Sequence, residues 1–442
     1  MIRSSRYAPI AVGLFVLLGA ASSARASVAP AGRHGAETVL YKFRTFADGA
    51  VANPGLLQDS SGAFIGSTYS GGGIGGVVFK LAPARHGTYA ESVLYTFGGN
   101  TDGDSPNGPL IEDAGGSIYG STTFGGSSAC YGEGCGTVYK LPPAGSGAYT
   151  ESVLYVFSDA GDGAHPYGPL VADAGGALYG TTEYSGSGGC VSDHCGAIFK
   201  LTPAGSGAYT ESIIYVFTGG KGGQYVSPGL LVDASGALYG TTGAGGAPNL
   251  GVAFKLTPQS GAYVETVLHT FRGRDGATPD GALIADAAGD LFGATADGGE
   301  ITNTGCSVLG RAPGCGAVFE LSPHGGGYVE TVLHRFSPSE GLQVQPGLLA
   351  DAHGDLFGAA RLGGSCSFSG QAGCGTAFEL VPRGGRYSLR VLRDFAGGVN
   401  DGLQPNGSIV QGADGALYGS TILGGGTGCV GLGCGTVYRL TY

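Results

Sequence analysis

Apolar and aromatic residues occur in short bursts separated by Gly-rich turns, and the same four bursts return along the chain. The most regular reads FIGST from Phe64, IYGST from Ile118, LYGTT from Leu178 and Leu238, LFGAT from Leu291, LFGAA from Leu356 and LYGST from Leu417. Beyond a GG-rich loop each copy is followed by a second burst, VVFKL ending at Leu81, then TVYKL at Leu141, AIFKL at Leu201, VAFKL at Leu256, AVFEL at Leu321, TAFEL at Leu380 and TVYRL at Leu440. A stretch of the type PNGPLIEDAGG precedes each copy, from near Pro54, Pro106, Pro166, Pro228, Pro279, Pro346 and Pro405. The fourth burst is VLYKF at Val39, VLYTF at Val93, VLYVF at Val153, IIYVF at Ile213, VLHTF at Val267, VLHRF at Val332 and VLRDF at Val391. Short apolar runs bounded by turn residues predict strands. A recurrence every 53 to 65 residues makes them repeats of one supersecondary unit.

The order of the bursts at the two ends sharpens this. The first fourth-type burst stands alone before any complete repeat, and the last repeat stops after its third strand. The spare strand and the missing strand match. The expectation is an all-β, seven-bladed β-propeller of four-stranded antiparallel blades, its ring closed by Glu37–Phe43 pairing with Thr436–Leu440. A linear solenoid would leave that strand unpaired and would want capping repeats. Between first and second strands, Asp113, Asp173, Asp233, Asp286 and Asp351 open Asp-Ala-Gly-Gly-like turns, in which Asp bonds nearby backbone N–H groups and Gly accepts φ > 0. The nearly continuous apolar character of the bursts fits blades sandwiched between neighbours.

Ahead of the repeats, Arg3 and Arg6 are followed by an apolar run from Ala8 to Ala21 and by Ala24-Arg25-Ala26. This is the layout of a secretory signal cut after Ala26, and the run is too short to span a bilayer. The expected organisation is a signal peptide over 1–26, a linker over 27–36 and the propeller over 37–442. No lipid-anchoring Cys lies near the cut and no C-terminal anchor is seen, so the expected location is secreted or periplasmic. Cleavage removes three arginines and no acid, leaving a chain more acidic than its full-length net charge of −11. Nucleic acid and anionic lipid, which need clustered Lys and Arg, are poor partners.

The ten cysteines form five local pairs in the loops joining second to third strand: Cys130 with Cys135, Cys190 with Cys195, Cys306 with Cys315, Cys366 with Cys374, and Cys429 with Cys434. An even count, an exported chain and one place in each repeat predict disulfides. Each should contribute about 2 kcal/mol in the chain-entropy model. Zinc is the rival reading, but pairs on separate blades do not meet as four-ligand sites require. No metal and no cofactor are expected.

Antiparallel order places these loops on the same face as the loops between blades, which makes that face the candidate functional surface. The inter-blade loops repeat an acid followed by Gly at Asp48, Asp102, Asp162, Asp275, Glu340 and Asp401, with Gly222 at the odd position. Six acids around one mouth suit a cation or a sugar, while Asp-Gly is also a plain turn dipeptide. None of the loops completes the EF-hand calcium pattern. Residues that break the repeat are more informative: Asp162, His165 and Tyr167 face Asp193 and His194 of the same blade, a pairing of His with acid that suits metal or acid–base chemistry. Solvated loop polarity is the plain alternative. His269 and His334 fill the fourth-strand slot of Tyr41, Tyr95, Tyr155 and Tyr215 and read as packing residues. No G-x-S-x-G, H-E-x-x-H or P-loop occurs.

The series of LYGTT, GG loop, GTVYKL and VLYTF, with DG…P between repeats, resembles the bacterial choice-of-anchor tandem repeat GloVer-containing protein family over essentially Glu37 to Tyr442. The resemblance implies export and a repeat fold, and it carries over no catalytic residue. Kelch propellers share a GG doublet and a period near ~50 residues, but the absence of Trp sets this chain apart. The leading functional expectation is a monomeric, exported, non-catalytic binding or scaffold module that presents a disulfide-fastened acidic loop face to a glycan or protein ligand. The alternative is a secreted carbohydrate-active enzyme, a hydrolase or lyase, which would need two carboxylates in different environments at one site.

Overall fold

The computed structural model describes residues 2–4, 36–73, 75–145, 147–184, 195–300, 306, 312–366 and 373–442. The expected signal segment and linker lie almost wholly outside these residues, apart from Ile2–Ser4, which run beside Ile111–Asp113. Among the described residues no helix is long and apolar enough to cross a membrane.

The strands assemble into seven small antiparallel sheets, one per blade, and a two-stranded extension of the second blade made by Pro143–Gly145 and Ala148–Tyr149. Second strands such as Phe64–Ser70 and Leu178–Tyr184 pair with third strands such as Val77–Pro83 and Ala197–Gly205, and these pair with fourth strands such as Tyr89–Thr96 and Ala208–Val216. The seventh sheet takes its fourth strand from the other end of the chain. Ala36–Lys42 pairs with Thr436–Thr441 in the register Glu37 to Leu440 and Lys42 to Thr436. The ring is closed as the repeat phase predicts.

The first strand differs from its expectation as a single burst. In six blades it is split in two, as in Ala50–Ala52 and Leu57–Gln58, and in the remaining one, the second blade's Asp104–Asp113, its register shifts midway. Pro or Gly at the middle position removes ladder hydrogen bonds and bends the chain there. Fourth strands also depart from continuous burial. They alternate exposed and half-buried residues because they form the outer rim.

Buried side chains gather into seven clusters, each shared by two adjacent blades. The Phe that ends each fourth strand meets the third-strand aromatic of the next blade with ring centroids 4.9–5.1 Å apart, from Phe43 on Phe79 round to Phe395 on Tyr438. Such tilted and edge-on contacts suit the ring quadrupoles. The Gly within each second-strand motif makes room for this aromatic: a Cβ on Gly66 would lie 2.6 Å from Phe79 Cζ, and one on Gly240 would lie 2.7 Å from Phe254 Cζ.

A second tie between blades uses the backbone. Val51, Ser105, His165, Tyr225, Thr278, Gln343 and Gln404, one per first strand, hold φ between 53° and 60°. That region costs a non-Gly residue roughly 1–3 kcal/mol, and Val51 and Thr278 are β-branched. The conformation turns the N–H toward the preceding blade. Val51, His165, Gln343 and Gln404 donate to the carbonyls of Cys434, Cys135, Cys315 and Cys374, the second cysteine of each pair. Bridges 130–135, 306–315, 366–374 and 429–434 are formed, and Cys195 is disulfide-bonded, while its expected partner Cys190 lies outside the described residues. The disulfides therefore fix the loop carbonyls onto which the next blade hangs.

Deleting residues 36–42 should replace one cooperative calorimetric transition with a broad, low-temperature one, since a blade edge and an inter-blade core are lost together. An unchanged transition would show that the ring does not need this strand.

Candidate functional site

The bends of the seven first strands meet at the ring axis. They place Asn53, Asn107, Tyr167, Ser227, Asp280, Gln345 and Asn406 at equivalent positions, and all but Ser227 line an axial cavity of about 240 Å³. Val51 and Tyr69, from the loop-face ends of their strands, complete the lining together with the rings of Pro54, Pro109, Pro169, Pro228 and Pro346.

Three axial side chains serve the ring. Asn53 Nδ2 donates to the carbonyl of Pro106, Asn406 Nδ2 to that of Ala52 and Ser227 Oγ to that of Pro279, in each case the next blade. Asn107 Nδ2 donates to Thr123 Oγ1 and Gln345 Nε2 to the carbonyl of Gln343, both within their own blade, while Tyr167 and Asp280 place a phenol and a carboxyl at this position. Tyr167 is 44% exposed, yet it stands inside the funnel. Crowding by surrounding protein is the main reason its hydroxyl is pushed up to about 12; Asp280 and Glu183 add to this and Arg361 opposes it. Tyr69, Glu183 and Arg361 occupy the same position near the ends of three second strands, where other blades carry Thr123, Gly243, Ala296 and Ile422. Arg361 donates through Nε and Nη2 to Gln404 Oε1 at 3.3 Å. The result is an asymmetric constellation of two phenols, amides, acids and one guanidinium inside a symmetric frame.

Of the residues singled out from sequence, Tyr167 lies in this funnel. His165 lies two residues earlier, in the strand Ala164–Pro166, its ring edge-on to Phe124 and Tyr184 at 4.9 and 5.0 Å. Asp193 and His194 lie outside the described residues.

The six loop acids sit at the blade junctions, and none of them lines the axial cavity. Asp48, Asp102 and Asp162 accept hydrogen bonds from Tyr41, Tyr95 and Tyr155 at 2.8–3.0 Å, and from backbone N–H groups of their own loops. Asp275 and Glu340 meet His269 and His334 at 2.9 and 3.4 Å, and Asp401 meets Arg393 at 2.7 Å. A further Glu from the next blade's fourth strand faces most of these pairs: Glu91, Glu151, Glu211, Glu330 and, across the closure, Glu37. The odd position is explained by the same geometry. Tyr215 donates directly to Glu265 at 3.0 Å, and a Cβ on Gly222 would lie 2.5 Å from Glu265 Oε2.

Each of these six Glu residues has one buried carboxyl oxygen without a hydrogen-bond partner. Burial, then the neighbouring Asp, pushes Glu151 and Glu211 up to about 7. Glu340 goes the other way: hydrogen bonds from His334 and Ser337 hold it at about 2, against burial.

A closed ring of seven four-stranded blades around an axial funnel defines a seven-bladed β-propeller. The chain belongs to the Gloeobacter/Verrucomicrobia repeat family, whose model matches residues 27–210 and 187–367. This agrees with the membership expected from the motifs. No protein of curated function is matched. Among solved structures, a fungal alcohol oxidase of the AA5 family in complex with copper shares 15% identity, with 92% of this chain and 76% of that one covered at a TM-score of 0.57. A gluconolactonase from Xanthomonas campestris shares 15% identity over 75% of this chain and 87% of its own, with a TM-score of 0.41. A puromycin-hydrolyzing peptidase of Mycobacterium tuberculosis shares 12% identity over 86% of this chain and 52% of its own, with a TM-score of 0.47. At these identities the likeness concerns fold alone.

The junction carboxyls set an unusual pH profile. A carboxyl whose pKa is raised in the folded state contributes stability that is full below about 4.5 and is lost as pH rises toward about 7. Glu340, held low, contributes stability that is lost as pH falls from about 4.5 to about 2. The melting temperature should therefore peak near pH 5 and fall toward pH 8. Glu151→Gln and Glu211→Gln should each raise it at pH 8 by about 2 °C and flatten the fall. A profile that climbs from pH 5 to pH 8 in the native chain would contradict this arrangement.

Proposed function

We propose that the chain is an exported, non-catalytic binding module that takes a small polyhydroxylated ligand, one sugar ring in size, at the axial funnel on its loop face. The observation that carries this reading is the divergence of the axial positions. At the axial positions Tyr167, Asp280 and Gln345 stand where other blades carry Asn or Ser, and Arg361 acts on Tyr167 from beside them. Amides, phenols, a carboxylate and a guanidinium supply donors and acceptors in the mixture that hydroxyl groups need. Proline rings supply apolar faces for C–H groups. A volume of about 240 Å³ is below the roughly 300–1,000 Å³ of sites for drug-sized ligands, which favours a compact ligand. Disulfides in the loops fit an oxidising, periplasmic or extracellular compartment, and the N-terminal segment supports export.

Ligand-observed NMR and calorimetry against a panel of monosaccharides and short oligosaccharides test the proposal. A saturable binder should be found whose affinity drops at least about tenfold in Asp280→Ala, which removes a hydrogen bond to a charged group worth roughly 1.5–3 kcal/mol, and several-fold in Tyr167→Ala, which removes a neutral one worth roughly 0.5–1.5 kcal/mol. Asp162→Asn, whose carboxylate is engaged by Tyr155 and Ser158, should change it less than about twofold. Release of product that ceases in Asp280→Asn would instead establish the carbohydrate-active enzyme.

A further inference from the structure

Six of the seven blade junctions join a fourth-strand residue to an acidic side chain in the following loop, and the chemistry of that residue varies around the ring. At three junctions it is a tyrosine whose phenol donates to Asp48, Asp102 or Asp162. At the closing junction it is Arg393, a cation that occupies both Asp401 and Glu37. His334 has Glu340 beside it, but the next blade places Leu389 where the others place Glu, opposite the third-strand Leu. The junction of blades four and five combines His269, Asp275 and Glu330.

We propose that His269, Asp275 and Glu330 bind one divalent transition-metal ion of the zinc class. Their donor atoms all lie within 4.8 Å of one another. His269 Nε2 and Asp275 Oδ2 are 2.9 Å apart, and two ligands at ~2.0–2.1 Å from a tetrahedral ion stand about 3.3 Å apart, so a shift of a few tenths of an ångström sets this pair at ligand spacing while a rotation of the Glu330 side chain, within 4.8 Å of both, completes the site. Glu330 Oε1 is buried with no hydrogen-bond partner. An ion there would give this oxygen the direct partner it lacks. Arg335, the nearby cation, has its Nε committed to the carbonyl of Arg274. His269 and Asp275 are 20% and 17% exposed, which leaves a path for entry and room for water as a fourth ligand. Imidazole with two carboxylates suits zinc, copper or cobalt better than calcium or magnesium. The cluster of Asp351, His353 and Asp355 is a weaker candidate, since His353 is 84% exposed and Asp351 is already taken by the N–H groups of its own turn.

The chain itself supplies the control. His269→Tyr installs the residue that four other junctions carry, and Glu330→Leu reproduces the arrangement beside His334. Chelator-stripped protein is titrated with Co²⁺ and Zn²⁺ by calorimetry, and Co²⁺ is followed by its visible absorption. One ion per chain is expected in the native protein, with affinity at least about tenfold weaker in either variant, a melting temperature without metal close to native, and His334→Tyr binding as the native chain does. Unaltered binding in His269→Tyr or in Glu330→Leu, loss in His353→Ala instead, or no saturable binding would each overturn the assignment.

Discussion

The pairing of Ala36–Lys42 with Thr436–Thr441 is the interaction on which the remainder of the ring depends. No blade owns a core. Each of the seven buried clusters lies between two blades, so seven blades have seven cores only when the ring is closed. Without the closing strand, Phe43 leaves the face of Phe79 and Glu37 leaves Arg393, and two apolar blade faces meet water. A strand contributed by the opposite end of the chain turns an open stack, which would need capping, into a ring with only short edges.

Symmetry and its breaks divide the labour. The seven terminal phenylalanines, the second-strand glycines and the left-handed first-strand residues recur because every interface needs an aromatic contact, space for it and a backbone tie. The strain of the left-handed positions is tolerated because the N–H groups of Val51, Ser105, His165, Thr278, Gln343 and Gln404 reach carbonyls of the neighbouring blade, four of them held by a disulfide. Where a column diverges, a different demand acts on it. Gly222 and Glu265 diverge together for packing reasons, whereas Tyr167, Asp280 and Gln345 diverge around open space.

Strand content, blade number and ring closure were legible in the sequence because they follow from the phase of a local motif. Four of the five cysteine pairs, 130–135, 306–315, 366–374 and 429–434, were legible for the same reason, being close in the chain. The axial cavity was not. Its lining comes from positions some 50 to 65 residues apart that converge only through the ring, and PNG-like stretches read locally as turns. Stacking the seven repeats and reading down the column through Asn53, Asn107, Tyr167, Ser227, Asp280, Gln345 and Asn406 would have flagged it. The loop acids were visible but not their partners. Tyr41 and Asp48 are seven residues apart, while Glu91 comes from the next blade.

Hydrogen exchange followed by mass spectrometry on the native chain tests ring closure most directly. Amides in peptides spanning 36–42 and 436–441 should exchange only through global unfolding, at the same rate as the central strand Leu178–Tyr184. Exchange of the 36–42 peptide within seconds while the blade cores stay protected would show that the ring stands open at this strand, and would contradict the account.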